Sequence, residues 1–259
     1  MINGKRVNYV IATWAGDRVN RTDGISIRKD QYLSLHLKSI KKYQTCLDQI
    51  TIFKPKCENE GSYYDILKDI DDNVVIIDGK NEGQSYGQYL KVVDHYKDKF
   101  DYYIFCEDDY LPYGLGFDEK LVHMYEELRR DIRNAEKSIY LCGLLDERGG
   151  RALASISNGI VDYPSLEKIF DGESIESVLK RVFKYKGKAC QVRFSEMFQV
   201  IEDYRCNYSS YFHKKNMVLN YSRISDNHIF VPYEFSVGGY PIIEGQRGSL
   251  DREMERDER

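Results

Sequence analysis

The chain is poor in most features that would identify a protein quickly. No apolar run approaches the ~18 residues that a membrane-spanning helix requires, so no inserted segment is expected. The opening residues, MINGKRVNYV, lack the apolar core of a secretory leader. The six cysteines (Cys46, Cys57, Cys106, Cys142, Cys190 and Cys206) are scattered and include no C-x-x-C pair. In a chain this long an even count is weak evidence for disulfides, and the pattern fits reduced thiols, with Cys106 and Cys142 behaving as small apolar residues. Both observations set the expectation of a cytoplasmic location. There is no basic excess: 38 Lys and Arg face 42 Asp and Glu, a net charge of −4. Nucleic-acid binders usually show the opposite balance, so no nucleic-acid partner is expected. Neither the G-x-S-x-G turn nor a Cys-His signature of a hydrolase occurs. With five prolines, no Pro-rich linker and no internal repeat, the 259 residues read as one domain spanning 1–250, followed by a charged tail at 251–259.

What the sequence has in excess is tyrosine, 22 residues beside 11 Phe and a single Trp. Tyrosine serves both as a core ring with a polar edge and as a platform for sugars or bases, and its number does not choose between these. The apolar pattern is more informative. Val7 to Trp14, Ile50 to Phe53, Val74 to Ile77 and Tyr102 to Cys106 read as strands. Val74 to Ile77, a continuous apolar run, is expected to be buried on both faces. Between them, Leu33, Leu37 and Ile40, then Tyr86, Leu90 and Val93, follow the helical period, as do Leu121, Met124, Leu128 and Ile132 farther on. Ile139 to Leu145 and Ala154 to Val161 read as two more strands, and Ile175 to Val182 as a short helix. This order predicts an α/β sandwich with a mainly parallel central sheet.

Glu107-Asp108-Asp109 follows the fourth strand directly. Three carboxylates at the end of a buried strand repel one another unless a cation or a set of donors neutralises them. The carboxyl ends of the strands line the ligand crevice in open α/β sheets. Hard oxygen ligands suit Mg2+ or Mn2+ shared with a substrate diphosphate. A solvated acidic turn before Pro112 and Gly114 is the plain alternative.

The order of elements from about Arg6 to Leu144, with this triplet after the fourth strand, resembles the GT-A-type glycosyltransferases. Their Asp-x-Asp motif occurs in a Glu-Asp-Asp variant. The resemblance implies a Rossmann-type α/β/α sandwich, with a nucleotide-sugar half at about 6–112 and an acceptor half at about 113–245. It implies transfer of a hexose or pentose from a nucleotide-sugar (a UDP-sugar in preference to a GDP-sugar) to a hydroxyl of a glycan, glycolipid or glycoprotein. Mn2+ or Mg2+ is the implied cofactor, with Asp109 as ligand. Asp108 would contact the donor ribose or a metal-bound water, and Glu107 would orient the turn or donor. Thr13, Trp14 and Ala15 would contact the nucleotide, Asp78 would read the base, and Arg18 would face the diphosphate. The segment Asn81 to Gly87, with Ser85, resembles the family's small-residue stretch that admits the donor. Glu196, between aromatic neighbours that would shield it from water, is the implied base of an inverting reaction, with Glu202 and Asp203 as competitors. His228, or else His213, would be a further metal ligand. A sugar-phosphate nucleotidyltransferase and a non-catalytic carbohydrate-binding module are the alternatives.

Overall fold

Six consecutive buried residues make Val7–Ala12 the strand around which the rest is organised. This strand, β1, is covered on both faces and flanked on both edges. Parallel partners are β2 (Gln49–Pro55) on one side and β4 (Tyr102–Glu107) on the other. A computed structural model describes residues 2, 4–15, 32–56, 63–69, 73–108, 110–112, 115–131, 138–145, 153–183, 194, 196–202 and 212–214. The sheet continues through β3 (Val74–Gly79), β6 (Ile139–Leu145), β7 (Leu153–Asp162) and β8 (Gln199–Glu202), in the order β3-β2-β1-β4-β7-β6-β8. Four of its pairings are parallel; β7 runs antiparallel to both β4 and β6. A separate ribbon pairs β5 (Tyr110–Pro112) with β9 (Phe212–Lys214).

Alternation of side chains across β1 sorts the core into two layers. Val7, Tyr9 and Ile11 pack with α1 (Tyr32–Tyr43) and α3 (Phe117–Asp131) through Leu33, Ile40, Leu121 and Tyr125. Val10 and Ala12 face α2 (Gln84–Tyr96), α4 (Tyr163–Phe170) and α5 (Ile175–Val182) through Leu90, Val93, Leu166 and Val178. The last two helices carry side-chain caps: Asp162 accepts from the Ser165 N–H at 3.1 Å and Ser174 from the Ser177 N–H at 3.3 Å. The result is the expected α/β/α sandwich with a mainly parallel sheet. Among the described residues no helix is long and apolar enough to cross a membrane.

One expectation needs correction. Val74 to Ile77 is not buried on both faces, because β3 lies at the sheet's edge, with β2 as its single strand neighbour among the described residues; Ile76 is 38 % exposed. The second half is antiparallel where β7 turns back between β4 and β6, with a register shift between Cys142 and Gly143. Gly159 lies at that crowded point: a Cβ there would meet the Leu141 carbonyl oxygen at 2.6 Å and the Tyr140 ring at 2.7 Å. Ile132 and the tail at 251–259 lie outside the described residues.

Candidate active site

The chain runs from β1 outward to β2 and β3, then returns to place β4 on the other side of β1. Where strand order reverses in this way, the carboxyl ends of two adjacent parallel strands part and leave a crevice. Their ladder ends with Ala12 opposite Glu107, closed by the Asp108 N–H donating to the Ala12 carbonyl at 3.0 Å. Thr13 and Trp14 continue one strand and Asp108 the other.

Asp108 is 1 % exposed, so its charge needs donors from the protein. The Tyr63 hydroxyl donates to Asp108 Oδ2, and the Trp14 N–H approaches the same oxygen at 3.5 Å. The Asp108 carbonyl lies 3.4 Å from His36 Nδ1, and His36 Nε2 lies 2.8 Å from the Tyr9 hydroxyl. Burial, then the neighbouring Cys106, pushes the Tyr9 phenol well above its ordinary value.

Glu107 is half-buried, and its Oε1 accepts from the Ser85 hydroxyl at 2.8 Å in the first turn of α2. Its charge reaches Tyr89, whose phenol is raised first by burial and then by Glu107. The chain enters α2 through two successive left-handed residues, Gly83 at φ 77° and Gln84 at φ 56°. Gly83 is backed by the Phe183 ring, and the Glu82 carbonyl occupies the space a Gly87 side chain would need. A side chain at either glycine would therefore collide with the chain's own packing.

Thr13 is buried and its hydroxyl donates to the Phe53 carbonyl at 2.7 Å. The Tyr64 hydroxyl therefore donates to Thr13 Oγ1, also at 2.7 Å. The Lys54 ammonium stands 4.9 Å from the Tyr64 ring centroid, and Lys54 is the register partner of Asp78 at the end of β3. Asp78 is exposed, Trp14 half-buried and Ala15 buried. The structure thus gathers Thr13, Trp14, Ser85, Glu107 and Asp108 at one crevice, with Asp78 on the same edge of the sheet.

Glu196 is exposed, while Phe194 and Phe198 beside it turn into the core against Tyr140. Those rings pack inward and do not shield the carboxylate. The Phe194 ring nevertheless lies against that of Tyr86, the residue after Ser85, with the centroids 4.9 Å apart, so this segment flanks the crevice. Glu202 pairs with Cys142, which faces Gly159, itself opposite Phe105, so β8 ends on the same sheet edge as β4. Of the two histidines, His213 stands opposite Leu111 in the β5–β9 ribbon, two positions beyond Asp109. Arg18, Asp109, Asp203 and His228 lie outside the described residues.

Sequence reading missed Gln88, His36, Tyr63 and Tyr64. The signal for the first two is a polar residue inside an otherwise apolar helical stripe: His36 lies between Leu33 and Ile40, and Gln88 between Tyr86 and Leu90. Among the described residues, no three His, Cys, Asp or Glu side chains gather as a metal site.

No protein-family model matches the chain, and no curated protein matches it. Solved structures do. The chain is similar to 4-diphosphocytidyl-2C-methyl-D-erythritol synthase of Anaerococcus prevotii, with 13 % identity, a TM-score of 0.48, and 78 % of this chain and 88 % of that one covered. It is similar to a cytidylyltransferase of Leptospira borgpetersenii at 16 % identity and a TM-score of 0.45, covering 77 % and 76 %. It is also similar to residues 1–349 of S. aureus TarS, solved in complex with UDP, at 10 % identity and a TM-score of 0.48, covering 80 % and 59 %.

Proposed function

We propose that the protein is a metal-dependent glycosyltransferase that moves a sugar from a nucleotide-sugar, a UDP-sugar by preference, to a hydroxyl of a glycan, glycolipid or glycoprotein with inversion. The proposed setting is cytoplasmic. The observation that carries this reading is the meeting of Thr13–Trp14 with Glu107–Asp108 at the reversal of strand order between β1 and β4. A crevice of this kind takes a nucleotide with its phosphates toward the carboxylates. In this reading Thr13, Trp14 and Ala15 line the nucleoside, Asp78 reads the base from the end of β3, and Arg18 pairs with the diphosphate.

The carboxylates present suit a hard divalent cation. Mn2+ or Mg2+ would be held by Asp109 and the substrate phosphates, with Glu107 orienting the turn. His228, or else His213, would be a further ligand; the β5–β9 register sets position 213 opposite Leu111, two positions beyond Asp109. When bound, such an ion offsets the charge that grows on the departing diphosphate. The chain itself then has two tasks. Ser85 holds the Glu107 carboxylate in place, and Glu196 takes the proton of the acceptor hydroxyl as that oxygen attacks the anomeric carbon. Glu202, on the same sheet edge, is the competing base.

A sugar-phosphate nucleotidyltransferase would use the same crevice, and product analysis separates the two. Incubation with UDP-sugars and Mn2+ should release UDP, whereas pyrophosphate release from a nucleoside triphosphate and a sugar phosphate would replace the first reading with the second. Asp109→Ala should abolish turnover with the fold intact. Full turnover in that variant, or in excess chelator, overturns the metal role.

A further inference from the structure

The ladders that hold β1 end at Ala12 on both sides, opposite Phe53 in β2 and Glu107 in β4. The next peptide groups, the N–H and C=O of Thr13, are buried and have lost their strand partner, and buried backbone groups left unpaired are costly. A side chain takes the place of the missing strand. The Gln88 Oε1 accepts from the Thr13 N–H at 2.9 Å, and the Gln88 Nε2 donates to the Thr13 carbonyl at 3.0 Å. A primary amide has the donor and acceptor geometry of a peptide unit, so Gln88 extends the sheet by one residue from the helix layer. Its remaining N–H donates to Asn81 Oδ1 at 3.1 Å, in the segment that leads into α2. Gln88 is 2 % exposed, and its three hydrogen bonds set the orientation of its amide.

We infer that Gln88 is the positioning residue of the nucleotide crevice, coupling the end of β1 to the Asn81 segment so that both walls keep one spacing. The inference rests on the nucleotide reading above. Gln88 itself meets no ligand. It acts through Thr13, whose backbone sets where Trp14 stands, and through Asn81, which is exposed at the entry to α2. Gln88 supplies its hydrogen bonds in the direction each partner requires, and similar size is not enough to replace it. Gln88→Met keeps the length and loses all three bonds. Gln88→Glu keeps the shape but turns an oxygen toward the Thr13 carbonyl and Asn81 Oδ1.

The test is calorimetric titration of the full-length protein with UDP and with GDP in the presence of Mn2+, alongside urea midpoints. Losing the backbone clamp should weaken nucleotide binding about tenfold in Gln88→Met, and at least as much in Gln88→Glu. In turnover, KM for the donor should rise while kcat changes less. Asn81→Ala, a surface change that leaves the core untouched, should weaken binding in the same direction by about threefold. Its effect should vanish in the Gln88→Met background, because the two act through one connection. A lower urea midpoint in Gln88→Met with unchanged nucleotide affinity would reduce Gln88 to a structural residue and overturn the inference alone. Failure of the unaltered protein to bind either nucleotide would overturn it together with the nucleotide reading.

Discussion

Asp118 offers a stability prediction whose size can be worked out from its partners. The residue is fully buried in the first turn of α3, where a negative charge is also favoured by the helix dipole. Its carboxylate accepts from the Thr45 N–H at 3.1 and 3.0 Å, the Thr45 hydroxyl at 3.1 Å, the Cys46 N–H at 2.7 Å and the Leu47 N–H at 3.1 Å. Three successive peptide donors between α1 and β2 thus converge on one side chain. Asp118→Asn keeps the volume but replaces Oδ2 with an amide group facing the Cys46 and Leu47 donors. Hydrogen bonds to charged groups are worth about 1.5–3 kcal/mol each, so losing two should cost at least about 3 kcal/mol. With a urea m-value of about 3 kcal/mol/M, the unfolding midpoint should fall by about 1 M. A second readout comes from Cys46, whose thiol is pushed up by burial and next by the Asp118 charge. Removing that charge should speed alkylation of the Cys46 peptide, followed by mass mapping. A midpoint shift below about 0.3 M, roughly 1 kcal/mol at that slope, would refute the claim that this carboxylate organises the loop.

Three further outcomes are expected. Tyr64→Phe leaves Thr13 Oγ1 without its donor and should cost about 1 kcal/mol of stability by urea titration, with weakened UDP binding. Gly87→Ala drives a methyl into the Glu82 carbonyl, so the α2 entry must shift; a loss of at least about 2 kcal/mol is expected, and a neutral variant would show the contact to be soft. Burial opposes ionisation of Asp101, but the Arg6 N–H at 2.8 Å and the Lys5 ammonium at 3.3 Å outweigh it and hold its carboxyl below the usual value. Its contribution is therefore present above the unfolded carboxylate value and lost as pH falls through the lower folded one. The stability gap between the native protein and Asp101→Asn should close over that acidic window in pH-dependent urea curves.

The parallel half of the sheet was legible because strand formers and helical spacing alternate cleanly from Val7 to Cys106. The antiparallel return of β7 was not: Ala154 to Val161 reads as a strand in either direction, and direction is set by the connection. The edge position of β3 was hidden too, since Val74 to Ile77 has the same letters whether one neighbour or two flank it. At the site, Glu107 and Asp108 were visible as an acidic turn. The residues that hold them were invisible, because Tyr63 and Ser85 meet them across 45 and 22 positions. His36 and Gln88 carried a faint mark as polar residues on apolar helix faces, and their partners could not be named from spacing.

Asp108 is gripped by residues 45, 72 and 94 positions earlier in the chain, namely Tyr63, His36 and Trp14. None of these contacts exists in any local fragment, and each closes a long loop before it yields a hydrogen bond. A chain emerging from synthesis would therefore have no crevice until β4 docks beside β1, after more than a hundred residues have been made. On the proposed nucleotide reading, affinity for the ligand would arrive with that docking event. Ligand binding during refolding would then time the closure of the central sheet.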